Sequence, residues 1–218
     1  MKIRLMVVCV ACLLAGCASL RVGSQFQSGR QALLRNEPET ALAYFLEVAK
    51  QNPNYVHQSM YFREGIWTYV GRTQYQTGML KEARQSLERA LSQDRDDHMA
   101  RLYLGLTQMR DGENERGLNE LATAMRGLYD WIEYVERTRP LEPYWDPARE
   151  IRGAIEKELE KIKAKDIGHQ ELVANAEWLG KQMEEEIDRA RGDERRQWER
   201  FDSDLRRRGT SVGVGIGF

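Results

Sequence analysis

A recurrence at 34 residues constrains this chain more than any other feature, because a self-similar segment must be read as one unit of a stack before its helices are read singly. Trp67, Gly71, Tyr75, Gly78, Ala83, Leu87 and Ala90 set out one unit over residues 64 to 97. Leu104, Gly105, Gly112, Gly117, Leu121 and Ala124 fill the slots of a second over residues 98 to 131. Gly29, Ala41, Phe45 and Pro53 mark an earlier one over residues 22 to 55. Two antiparallel helices approach closely only where side chains are small, which assigns Gly71 and Ala83 to the crossing of a pair. Trp67, Tyr75 and Leu87 then fill the space between helices, and Gly78 turns the chain between them. A hairpin of this kind has apolar area on both sides and becomes stable by stacking, so about three units are a reasonable minimum.

These slots resemble the tetratricopeptide repeat. The resemblance covers about half the chain and is strongest in the middle unit. It implies an all-α fold: a TPR-like α-solenoid of about three helical hairpins, here followed by two long C-terminal helices. The chain departs from the family pattern where Arg95 replaces the last-turn proline seen at Pro53, and where Gly117 stands for alanine. Eight extra residues, Val56 to Arg63, separate the first two units and are expected to lengthen a helix. Such stacks have a concave face lined by the first helix of each unit, where the family holds peptides or partner helices. By the family's register the groove is lined by Phe26, Arg30 and Leu33, then Thr68, Arg72 and Tyr75, then Leu102, Leu106 and Met109. The protein's own N-terminal segment or C-terminal helices are alternative occupants of that face.

The repeat region spans residues 22–138, and a proline-rich boundary at 139–147 follows, with Pro140, Pro143 and Pro147. Asp146 before Pro147 reads as a helix start, with the aspartate as cap and proline in the first turn. Residues 148–208 form the long helical region. Ile151, Ile155, Leu159 and Ile162 make one apolar stripe, and Leu172, Ala176, Leu179, Met183 and Ile187 make another beyond a loop at Asp166 to Gly168. The two helices are expected to cap the last repeat. From Lys181 onward charge is dense, with Glu185 and Arg189, Asp202 and Arg206, and Asp204 and Arg208 spaced by four. Glu184 and Glu185 are expected to be exposed there, and Trp198, Phe201 and Leu205 are the few apolar positions of a solvated or coiled helix. The Gly-rich tail at 209–218 reads as flexible, although Val212, Val214, Ile216 and Phe218 would share one face of a strand that could add to another protein.

At the other end, Lys2 and Arg4 precede an apolar run from Leu5 to Leu14, too short to span a bilayer stably, and then Ala15, Gly16 and Cys17. This reads as a signal peptide over residues 1–16. Leu14-Ala15-Gly16-Cys17 closely resembles the bacterial lipobox, which implies acylation of Cys17, a lipidated linker at 17–21 and anchoring through several acyl chains. Ala18 rather than aspartate after the cysteine implies sorting to the periplasmic face of the outer membrane. Cys9, Cys12 and Cys17 are all three cysteines, so the mature domain is expected to hold no disulfide. The formal net charge is −1, and losing Lys2 and Arg4 leaves −3, which gives nucleic acid no basic patch to bind.

Catalytic and metal signatures are not evident. His57, His98 and His169 lack zinc spacing, and Asp94, Asp96 and Asp97 lack the glycine and distal glutamate of a calcium loop. There is no nucleophile elbow or glycine-rich phosphate loop. The expectation is therefore a non-enzyme with no cofactor beyond the lipid on Cys17, binding a protein or peptide. It would serve as a scaffold or adaptor in envelope assembly, secretion or pilus biogenesis, with accessory regulation of a periplasmic or cell-wall enzyme as the alternative.

Overall fold

The computed structural model describes residues 21–59, 62–138, 145–166 and 168–207. The expected signal segment with Cys17, Pro140 and Pro143, Arg208 and the 209–218 tail lie outside them. Among the described residues the fold is helical, with one small β-hairpin. Helix α1 (residues 21–34) pairs with α2 (Pro38–Gln51), α3 (Ile66–Gln76) with α4 (Leu80–Gln93), and α5 (His98–Arg110) with α6 (Asn114–Thr138). α7 (Glu150–Ala164) and α8 (His169–Arg207) follow.

The crossing geometry is the same in all three pairs. A Cβ on Gly71 would lie 2.5 Å from the Leu87 side chain, one on Gly29 2.6 Å from Phe45, and one on Gly105 2.8 Å from Leu121 and 2.9 Å from its backbone nitrogen. The turns repeat too, each through a left-handed residue after the first helix: Asn36 (φ 59°), Gly78 (φ 79°) and Gly112 (φ 86°). Asparagine tolerates this region at small cost, so the first turn keeps its shape without glycine.

The segment between the first two pairs corrects an expectation. Val56 to Arg63 do not lengthen a helix; β1 (Val56–Ser59) pairs antiparallel with β2 (Phe62–Gly65), with His57 opposite Glu64 and Ser59 opposite Phe62. Burial alternates along both strands, which places His57, Ser59, Phe62 and Glu64 on the inner face. Phe62 packs edge-on against Trp131 of α6, with ring centroids 4.8 Å apart, and beside buried Trp145.

The C-terminal helices differ from a simple cap. α7 packs on α6, but α8 lies on α5 and also bonds to residues of α1 and α3. Leu172, Ala176, Leu179, Met183 and Ile187 are all buried, as their spacing requires. The start of α7 is also shifted. Pro147 precedes the helix, and Arg149 is its left-handed N-cap. Asp146 nevertheless caps it, accepting from the Ile151 and Arg152 N–H groups at 2.9 Å each. The buried Arg152 guanidinium joins Asp146 to Glu133 and Glu136 of α6, and the Asp146 N–H donates to Glu186 of α8. Among the described residues no helix is long and apolar enough to cross a membrane.

Candidate functional site: a groove and the helix within it

Arg30, Arg72 and Leu106 follow the crossing glycines Gly29, Gly71 and Gly105, so the same slot of successive hairpins carries arginine twice and then leucine. These slots face inward, and all nine expected groove residues are buried. Phe26 and Leu33 belong to the apolar cluster of the first hairpin; Tyr75, Leu102, Leu106 and Met109 belong to the larger cluster shared with α8. Thr68 donates to Asp97. Arg30, Arg72 and Tyr75 reach α8 directly.

Glu184 is the common partner. Arg30 Nε donates to its Oε1 at 2.7 Å and Arg72 Nη1 to its Oε2 at 2.8 Å, so one carboxylate joins the first two hairpins. Its side chain is 1% exposed, which corrects the expectation of a solvated Glu184; Glu185 beside it is exposed as expected. Arg30 Nη1 also donates to Asp188 at 2.9 Å, and Arg72 Nη2 to the Gly180 carbonyl at 3.4 Å. One end of the contact is held by Glu177, which accepts from the Tyr75 hydroxyl and from Arg110 at 2.5 Å each, while the Arg110 guanidinium lies 4.3 Å over the Tyr75 ring. At the middle, Gly180 permits the approach of Tyr103, whose hydroxyl would lie 2.6 Å from a Cβ there.

Burial raises the Glu184 pKa, but Arg72 and Arg30 outweigh it and hold the carboxyl below its ordinary value. The guanidinium of Arg30 is depressed by burial yet held above its ordinary value by Glu184, Tyr69 and Asp188. Two cations and two carboxylates balance, with Asp188 at the half-exposed edge, so the centre carries no net charge in its ionised form. Burying such groups is tolerable only when each finds its opposite.

The β-hairpin supplies a second layer. Tyr69 donates to Glu64 Oε2 at 2.6 Å, and Phe26 packs against His57 and edge-on against Tyr69, with centroids 4.7 and 4.8 Å apart. Burial, with the charges of Glu184 and Asp97, pushes Glu64 up to about 8, so it is largely protonated at neutral pH. Burial and Arg30 push His57 down to about 4, so it is neutral. His57 Nε2, Ser59 Oγ and Glu64 Oε1 find no hydrogen-bond partner among the described residues. Asp97 is buried too. It caps α5 through the Ala100 N–H at 2.8 Å and is pushed up to about 6 by burial, against the hydrogen bonds of Thr68 and Ala100.

Sequence reasoning missed Glu64, Glu177, Glu184 and Asp188. A signal was available: two arginines in equivalent inward slots require buried anions, and Glu177, Glu184 and Asp188 recur beside the apolar stripe of α8. Of the expected charge pairs on α8, Asp202 with Arg206 forms at 2.8 Å. Glu185 pairs instead with Lys181, and Arg189 pairs with Glu186 and Asp193. Comparison with known proteins matches the chain to no family model and to no curated protein.

Proposed function

We propose that the chain is an anchored adaptor, a TPR-like stack of three helical hairpins on a lipid-bearing Cys17, whose groove takes an amphipathic acidic helix. The observation that carries this reading is that Arg30, Arg72, Tyr75 and Arg110, from three successive hairpins, grip one acidic face of a helix. A surface that selects carboxylates spaced by seven along a helix, as Glu177 and Glu184 are, has the register and charge of helix-in-groove recognition. α8 is its occupant in the isolated chain. A partner helix of the same chemistry competes with α8, which makes binding dependent on displacing it. The anchor at the periplasmic face of the outer membrane, read from the lipobox, would keep such a partner near that membrane and suits envelope assembly, secretion or pilus biogenesis. The reading includes no catalytic step.

The test is crosslinking in intact cells from the inner faces of α3 and α5, comparing the natural chain with Glu184→Gln. Weakening the hold on α8 is expected to increase crosslinks to the partner. Recovered barrel, pilus or secretion components would support the adaptor, whereas wall enzymes would turn it into a regulator. If neither form yields intermolecular crosslinks from that face, the groove is only an internal packing surface and the reading fails.

A further inference from the structure

Beyond Ile187 and Ala190 the buried stripe of α8 ends, yet the helix continues to Arg207. One side of this extension borders a recess between α1 and α8, lined by Gln27, Gln31 and Leu34 with Arg191 and Arg195. Arg30 and Asp188 also line it but neutralise each other. Arg191 and Arg195 are exposed and hold no carboxylate among the described residues. The recess therefore has an excess of positive charge in a protein whose formal charge is negative.

One to two turns farther along the helix stand Trp198 and Phe201, 54% and 55% exposed, packed edge to face on each other with centroids 6.0 Å apart. Two large aromatic rings leave much apolar area in water, at a cost of roughly 25 cal/mol per Å². Most other large apolar side chains of α8 are buried or half-buried. Arginines that lack a carboxylate partner, followed within two turns by tryptophan and phenylalanine, match the requirements of a lipid–water interface. The guanidinium groups meet phosphate, and the rings sit at the level of the headgroups.

We infer that the projecting end of α8 docks on an anionic phospholipid surface, with Arg191 and Arg195 taking lipid phosphates and Trp198 and Phe201 entering the interface. This surface is separate from the groove and does not depend on whether the groove takes a partner. It adds a second, reversible contact to any covalent anchor. Charge complementarity selects the occupant: in the recess beside the rings, Arg191 and Arg195 add positive charge to an Arg30–Asp188 pair that is already balanced.

The experiment uses the full chain with vesicles made of brominated phosphatidylcholine, either alone or mixed equally with brominated phosphatidylglycerol. Quenching of tryptophan emission is read rather than binding, because an acylated or signal-bearing chain binds any bilayer. Quenching is expected to be stronger on the anionic vesicles. Trp198→Phe should lose most of it, while Trp178→Phe, which alters the other exposed tryptophan of α8, should retain it. Arg191→Glu with Arg195→Glu should remove the dependence on phosphatidylglycerol and weaken docking by at least about tenfold. Unchanged quenching in Trp198→Phe overturns the proposal, as does equal quenching on neutral and anionic vesicles. A lipid-free dimer that Trp198→Ala with Phe201→Ala converts to monomer overturns it in favour of self-association.

Discussion

At the scale of single residues, the groove depends on Glu184. Removing the anion leaves Arg72 buried without a carboxylate and Arg30 with Asp188 alone, so Glu184→Gln is expected to cost about 3–5 kcal/mol, read as a lower urea midpoint. Replacing all three residues with apolar side chains of similar volume should cost much less, which separates the need for charge balance from the need for charge. Glu64 yields a prediction in pH. Its folded pKa of about 8 is raised above the ordinary 4.5. The native state therefore holds a proton that the unfolded chain has released, and the stability this provides is complete below about 4.5 and lost as pH rises through about 8. Glu64→Gln does not titrate, so its stability relative to the natural chain should rise across that window, by on the order of a few kcal/mol. Equal pH profiles of unfolding for the two chains would contradict the buried, protonated state. His57 acts in the opposite sense: its depressed pKa gives stability that is present above the ordinary 6.5 and lost as pH falls toward about 4.

At the scale of elements, the glycines divide into two groups with opposite predicted effects. A Cβ on Gly105 would meet the backbone at Leu121 and Gly117 within about 3 Å, so Gly105→Ala must part α5 from α6 and should cost about 1–3 kcal/mol. Gly153 in α7 has nothing within 4 Å of a Cβ, and Gly153→Ala should stabilise by about 0.5–1 kcal/mol through helix propensity. Thermal unfolding of both variants checks the pair. The crossing contacts of the hairpins were legible in the sequence because they depend on local spacing, which 34-residue self-similarity records. The β-hairpin was not. Its strands are four residues each, and their inner face carries His57, Ser59 and Glu64, polar residues that reverse the usual alternation. Glu184 escaped for a related reason. Neighbouring charges on α8 gave it the composition of a solvated helix, and only its partners 112 and 154 residues away assign it to the interior.

At the scale of the molecule, α8 is two things in one helix. Its first half is fastened to the hairpins through buried contacts, and its end projects with exposed rings and arginines. Hydrogen exchange should divide it accordingly: amides of residues 172–190 should exchange only with global opening, and those after 195 through local fraying. Uniform protection along α8 would contradict the division. The placement of the bridging carboxylate also has a consequence for the order of synthesis. A chain delivered N-terminus first presents Arg30 and Arg72 well before Glu184 exists to join them. The early hairpins must therefore wait with Arg30 and Arg72 unjoined, and closure of the fold awaits the synthesis of α8.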